Sequence, residues 1–217
     1  MKLKVLIVDD HQILREGLVA LLAERSEFQV VGHAADGRTA VALAGELQPD
    51  VVVMDVAMPE LNGIEATRQM LARAPKVRVL ALSMHADKRF VTGMLRAGAW
   101  GYVLKCSGLE ELLLALRALA RGHRYLSPAV THLVIEEHLT GGGEVTVTPA
   151  ALLTPREREV LQLMAEGKAT KTIAARLHVS VKTIESHRKQ IMEKLKLRSV
   201  AELTKYAIRE GLTTLEH

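Results

Sequence analysis

Two short apolar stretches stand out for their β-branched residues. Val5-Leu6-Ile7-Val8 and Val51-Val52-Val53-Met54 are mostly β-branched, the mark of strands buried on both faces of a parallel sheet. Gln29 to Ala34, Val77 to Leu82 and Ala99 to Leu104 read as three further strands. Between the strands the pattern changes to helical spacing. Ile13, Leu14, Leu18, Leu21 and Leu22 repeat through about Glu24. Helices are expected from Asp36-Gly37 to about Leu47, from Asn62-Gly63 to about Arg73, and from Asp87 to about Arg96. Ser107-Gly108-Leu109-Glu110 reads as a capping box opening another, to about Arg121. Five strands alternating with five helices predict a doubly wound α/β fold, a five-stranded parallel sheet covered on both faces.

After residue 122 the alternation stops. Gly122-His123-Arg124 breaks the helix, and Ser127-Pro128 resembles a cap followed by a first-turn proline. Val130, Leu133, Val134 and Leu139 give one short amphipathic helix before Gly141-Gly142-Gly143. Residues 123–152 therefore read as a linker containing one helix. From 153 to 212 only helical signals remain. Thr154-Pro155-Arg156-Glu157 and Ser199-Val200-Ala201-Glu202 are capping boxes, and Ser180 caps a helix running to about Leu195. Four short helices can share only a small core, expected to contain Leu161, Ile173, Leu177, Val179, Ile184 and Leu195. Thr170 to Arg188 has the spacing of a helix-turn-helix, with Ala174 where the two helices must approach. On the helix after Ser180, Val181, Ile184, Ile191 and Leu195 form the inner stripe. Lys182, Glu185, Ser186, Lys189 and Glu193 form the outer one.

Charge sharpens this division. Residues 1–153 carry 16 Lys and Arg against 17 Asp and Glu, whereas residues 154–217 carry 13 against 8. A compact segment of net charge +5 behind a domain of net charge −1 points to a polyanion as partner of that segment alone. No apolar run approaches the ~18 residues of a membrane span. The start leads directly into a strand, and the single cysteine, Cys106, fits a reducing cytoplasm. His11, His85, His123 and His132 share no metal-ligand spacing and read as ordinary polar residues. Leu215-Glu216-His217 has the look of a tag remnant or a native end.

The chemistry collects where the strands stop. Asp9 and Asp10 follow the first strand, Asp55 the third, Ser83 the fourth and Lys105 the fifth. In open α/β sheets that edge is where ligands bind. Three carboxylates brought together repel and need a cation, and a hard divalent ion such as Mg²⁺ suits them. Lys105 and Ser83 add a positive charge and a hydroxyl donor suited to a phosphoryl group. Met58-Pro59 forces an extended exit after Asp55.

With these residues in place, the stretch 1–122 resembles the receiver domain of two-component response regulators, whose sheet is flavodoxin-like. The likeness rests on Asp9-Asp10, Asp55 with Met58-Pro59 and Asn62-Gly63, Ser83, Tyr102 and Lys105. It implies that Asp55 accepts a phosphoryl group from a sensor histidine kinase. It also implies that Asp9, Asp10, Asp55 and the Ala57 carbonyl hold Mg²⁺, and that Lys105 pairs with the phosphoryl oxygens. Ser83 would move to hydrogen-bond one of those oxygens, and Tyr102 would turn inward into the space vacated. Many receivers carry proline after the lysine. Cys106 stands there in this chain, which leaves the geometry of the Lys105–Cys106 peptide open; Cys106 itself reads as a small packed residue.

The stretch 153–210 resembles the LuxR/FixJ type of DNA-binding domain. It does so through Leu153-Thr154-Pro155-Arg156-Glu157-Arg158-Glu159-Val160-Leu161, Ala174-Ala175-Arg176-Leu177 and Val181-Lys182-Thr183-Ile184. The joined halves resemble the NarL/FixJ family of response regulators. That resemblance implies that the helix after Ser180 enters the major groove of a double-stranded operator. Glu185, Ser186 and Lys189 would contact bases, and Lys182, Thr183, His187 and Arg188 the phosphate backbone. Two copies would pair through Val200, Leu203 and Ala207. The expectation is a cytoplasmic transcription factor, not an enzyme, that forms a homodimer when phosphorylated. The rival from another class is a phosphatase using Asp55 as nucleophile, but no additional domain is seen to enclose its substrate.

Overall fold

The structure, a computed structural model, describes residues 2–139 and 152–214. The chain divides into two compact units, residues 1–140 and 141–217. The triple glycine and the last three residues lie outside the described part.

The first unit is built on a parallel sheet. Its strands are β1 (Leu3–Val8), β2 (Phe28–Ala34), β3 (Val51–Asp55), β4 (Arg78–Ser83), β5 (Gly101–Leu104) and β6 (Tyr125–Leu126). They lie in the order β2-β1-β3-β4-β5-β6, and every neighbouring pair is parallel. The helices are α1 (Gln12–Ala23), α2 (Gly37–Leu47), α3 (Gly63–Arg73), α4 (Lys88–Arg96), α5 (Leu109–Ala120) and α6 (Pro128–Leu139). Because strand side chains alternate, the sheet feeds two cores. Leu6, Val8, Val52, Met54, Val79 and Ala81 pack on one face, while Val5, Ile7, Val51, Val53, Leu80 and Leu82 pack on the other. Asp36, Asn62 and Asp87 accept hydrogen bonds from the backbone N–H groups of Thr39, Glu65 and Arg89, capping α2, α3 and α4.

Three sequence expectations change here. The sheet has six strands, not five, because Gly101 and Tyr102 pair with Tyr125 and Leu126. The segment after residue 122 does not begin as a linker. Val130 of α6 is fully buried in the first unit's core, with Leu126, Leu133 and Val134 packed against it. Its apolar stripe is therefore used to cover the receiver-like sheet. Nor does Ser107 form a capping box. Lys105–Ser107 make a 3₁₀ turn, and α5 starts from Gly108, whose φ of 84° suits only glycine.

The approach of α3 to the end of β3 is close. A Cβ added at Gly63 would stand 2.0 Å from the Asp55 carbonyl oxygen and 2.9 Å from Val56 Cα. Both are backbone atoms and cannot swing aside. Gly63→Ala is expected to lower stability by about 2–3 kcal/mol. That loss will be read as a fall in the urea midpoint at unchanged slope. An unchanged midpoint would contradict this packing.

The second unit contains α7 (Pro155–Ala165), α8 (Thr170–Arg176), α9 (Val181–Leu195) and α10 (Val200–Arg209). Both expected capping boxes form, at Thr154/Glu157 and Ser199/Glu202, and the Ser180 hydroxyl accepts from the Thr183 N–H. Leu161, Ile173, Leu177 and Ile184 are buried as expected, while Val179 and Leu195 are partly buried. The same core also takes Leu153, Val160, Leu163, Ile191, Leu203 and Tyr206. Of the inner stripe of α9, Val181 is 38% exposed.

Candidate functional site

The sheet register brings the chemical groups together. Val8 pairs with Met54, Asp55 with Leu82, and Ser83 with Leu104, so the carboxyl ends of β1, β3, β4 and β5 stand side by side. The order reversal between β1 and β3 places the crevice of a doubly wound sheet at this edge. Asp9 and Asp55 are almost wholly buried there, and Asp10 is partly exposed. The Lys105 ammonium sits 2.7 Å from Asp55 Oδ2 and 2.8 Å from Asp9 Oδ2, its side chain only 6% exposed. Among the described residues no peptide bond is cis, so the Lys105–Cys106 bond is trans and the turn still delivers the lysine. Cys106 is exposed, which corrects the expectation of a packed residue.

Burial pushes the Asp55 carboxyl up to about 7; Lys105 opposes the shift, while the charges of Asp9 and Asp10 add to it. Burial also works against the Lys105 ammonium, but Asp55 and Asp9 outweigh it and hold its pKa above the ordinary lysine value. Asp9, Asp10, His11 and Asp55 each offer a ligand atom, all within 4.8 Å of one another. Carboxylate oxygens at that spacing fit a hard divalent cation such as Mg²⁺. The Ala57 N–H approaches Asp55 Oδ1 at 3.4 Å, which places that residue beside the same carboxylate.

Ser83 is fully buried at the end of β4, and its hydroxyl accepts the His85 N–H at 3.0 Å. Tyr102 is fully buried as well, and its phenol donates to the His85 carbonyl at 2.7 Å. Burial pushes that phenol up, and a hydrogen bond with Ser83 opposes the shift. His85 also stacks on Phe90 of α4, with 4.4 Å between ring centroids. Behind Tyr102, its carbonyl accepts the Ser127 N–H, the Leu104 N–H meets the Ser127 hydroxyl, and that hydroxyl donates to Glu111. The residues around Ser83 and Tyr102 are thereby tied to α4 and to the approach to α6.

Two features of this edge were missed in the sequence. His11 lies inside the acidic cluster, although no ligand spacing marked it. Beside the cluster runs an apolar groove of about 490 Å³, lined by Ile13, Leu14, Gly17, Leu18, Leu21 and Met84. Ile13 is 89% exposed and Met84 67% exposed. Ile13 and Leu21 were expected on the apolar stripe of α1, yet the helix buries Leu18 and Leu22 and leaves both of them open.

In the second unit, α8 and α9 meet through a tight turn. Val179 N–H bonds to the Ala174 carbonyl, and His178 takes a left-handed φ of 53°. Histidine is among the residues that tolerate this conformation better than most. Arg156 donates to the Leu177 carbonyl and to Glu159. Lys194, near the end of α9, pairs at 2.7 Å with the buried Glu157 of α7. Burial disfavours the Glu157 carboxylate, but Lys194 and Thr154 together hold its pKa below the usual range. These contacts fix the angle at which α9 is presented. Its Lys182, Glu185, Ser186, Arg188 and Lys189 are exposed, and Thr183 and His187 are half-buried.

The pairing face expected on α10 does not survive. Leu203 and Ala207 are buried in the unit's own core, where α10 packs on α7, and only Val200 is exposed. A four-helix unit this small has no other apolar stripe with which to hold α10. The open side of α10 carries Val200, Ala201, Lys205 and Arg209.

Comparison with known proteins agrees with both halves. Residues 5–117 match the response regulator receiver domain, and residues 151–207 match the luxR family of bacterial regulatory proteins. The chain is 39% identical to the transcriptional regulatory protein DegU of Brevibacillus brevis, over 97% of this chain and 94% of that one. It is 38% identical to the oxygen regulatory protein NreC of Staphylococcus carnosus, over 97% and 99%. Among solved structures, it is similar to RcsB from Salmonella enterica serovar Typhimurium bound to a promoter in the presence of the phosphomimetic BeF₃⁻. That likeness has a TM-score of 0.61 and 29% identity, and covers 98% of this chain and 100% of the other. A LuxR-family two-component response regulator from an Aurantimonas species gives a TM-score of 0.61 at 39% identity, over 64% and 99%.

Proposed function

Since the chain belongs to the NarL/FixJ family of response regulators, a receiver domain joined to a LuxR-type DNA-binding domain, we propose that Asp55 is its phosphoacceptor and that phosphorylation there controls α9. The observation that carries this reading is the buried triad of Asp55, Lys105 and Asp9 at the sheet edge. An oxygen of Asp55 attacks the phosphorus of a phosphohistidine on a sensor kinase. The P–N bond breaks as the P–O bond forms, and the electron pair leaves with the imidazole. The product is an acyl phosphate. Asp9, Asp10, Asp55 and the Ala57 carbonyl would hold Mg²⁺, which when bound supplies neutralising charge to the phosphoryl oxygens. Lys105 orients the Asp55 carboxylate before transfer and pairs with a phosphoryl oxygen afterwards. The apolar groove at Ile13 and Met84 gives the phosphodonor protein a surface beside the acceptor.

The new charge, roughly two units, recruits the Ser83 hydroxyl, and Tyr102 and His85 respond. The population then shifts toward a form that dimerises and binds a double-stranded operator. On DNA, Glu185, Ser186 and Lys189 of α9 contact bases, while Lys182, Thr183, His187 and Arg188 contact phosphates. The related structure of two RcsB dimers bound to two parallel DNAs supports pairing, and here the pairing would use the open side of α10 at Val200. Among the described residues no helix is long and apolar enough to cross a membrane. On this reading the chain acts in the cytoplasm, where its DNA partner lies. The chain acts as a regulator consumed and reset, not as a catalyst turning over a small substrate.

Lys105 provides the test of coupling. Lys105→Ala should still take up a phosphoryl group from acetyl phosphate, more slowly, yet remain monomeric by light scattering where the wild type dimerises. Normal dimerisation of the phosphorylated variant would sink the switch role.

A further inference from the structure

We propose that His11 is a further protein ligand of the cation pocket, beside the three carboxylates and the Ala57 carbonyl, and that it tunes the pocket toward borderline divalent ions such as Co²⁺ and Zn²⁺. The inference rests on the acidic pocket being the cation site described above. The His11 N–H donates to Asp9 Oδ1 at 2.9 Å, which fixes the residue at the start of α1. Its Nδ1 then stands 3.0 Å from Asp10 Oδ1 and 3.3 Å from Asp9 Oδ1, although the side chain is 65% exposed. The imidazole is not a core histidine satisfied by packing. It turns one nitrogen into the acid cluster, within 4.8 Å of the Asp9, Asp10 and Asp55 ligand atoms.

The ligand set decides the preference. Carboxylates and a backbone carbonyl alone favour Mg²⁺, Ca²⁺ and Mn²⁺, whereas an imidazole nitrogen favours later, softer first-row ions. Mg²⁺ gains little from the imidazole and can be held by the oxygens and water. Co²⁺ or Zn²⁺ gains a nitrogen ligand already pointed at the oxygens. The simpler alternative gives His11 a protonated Nδ1 that only hydrogen-bonds the acids. A histidine of that kind competes with any cation, so its removal would strengthen binding of every ion or leave it unchanged.

Calorimetric titration of the full chain with Co²⁺ and with Mg²⁺ separates the two, using the wild type, His11→Gln, His11→Ala and Asp10→Asn. The visible absorption of bound Co²⁺ gives a second readout, sensitive to nitrogen ligation. Both His11 variants should lose Co²⁺ affinity on the order of tenfold, keep Mg²⁺ affinity within about twofold, and shift the Co²⁺ spectrum. Asp10→Asn should weaken both ions. Equal or tighter Co²⁺ binding by both His11 variants with an unchanged spectrum overturns the His11 proposal and leaves the pocket intact. Failure of the wild type to bind either ion overturns the pocket assignment and, with it, the role of His11.

Discussion

Asp55→Asn will abolish phosphoryl uptake. Incubated with acetyl phosphate and Mg²⁺, the wild type should gain one acid-stable, base-labile phosphoryl group, and the variant none. The expectation follows from geometry: Asp55 is the carboxylate that ends the central strand β3 and also contacts the buried ammonium of Lys105. Asp9 shares that ammonium, but it is displaced to the neighbouring strand end and holds the His11 N–H. The amide of asparagine keeps the size and can still hydrogen-bond, so the fold should persist and the loss should be chemical. Asp10→Asn should only slow the reaction, by weakening the cation site. Mass spectrometry of intact protein reads each case, and full labelling of Asp55→Asn would sink the assignment.

The second large effect concerns DNA and separates two kinds of contact on α9. Lys182 lies in the first turn of α9 and is exposed, which suits a phosphate contact. Lys182→Ala should weaken binding to all duplexes alike and reduce the salt slope by about one unit. Lys189 lies two turns further along the outer stripe and is 78% exposed. Its pairing with Glu193 at 3.9 Å is between exposed groups and is easily given up. Lys189→Ala should cost on the order of 1–3 kcal/mol on the preferred site and less on random DNA. A dimer should favour half-sites about one helical turn apart. Titrations of both variants at several salt concentrations decide the matter. Equal losses for Lys189→Ala on every sequence would remove it from the base-reading set.

Some of this architecture could be read from the residues because each signal was local. Val51 to Met54 states its own burial, and the place where the run meets Asp55 marks the sheet edge. The same holds for Asp9 and Lys105, so the pocket was assembled from strand ends alone. Tyr125-Leu126 could not be read as a strand, since two residues display no alternation and only pairing with β5 makes them one. The stripe of Val130, Leu133 and Val134 was legible, but not what it covers, because helical periodicity names a face and not its neighbour. Leu203 and Ala207 failed for that reason too: the apolar face of α10 was real and was claimed by α7 instead of a second copy. His11 was hidden for a different reason. Its approach to Asp9 and Asp10 depends on how α1 leaves β1, which no spacing in the sequence records.

Phosphorylation of Asp55 in the first unit is expected to raise DNA binding by the second. This is tested most directly by the affinity of the full chain for an operator recovered by selection from random duplexes. That affinity should be measured with and without acetyl phosphate and Mg²⁺, alongside Asp55→Asn. The wild type should bind at least about tenfold tighter once phosphorylated, a change of about 1.4 kcal/mol, and Asp55→Asn should not respond. If wild type carrying a full phosphoryl load binds the operator no more tightly than the unmodified chain, the account is contradicted.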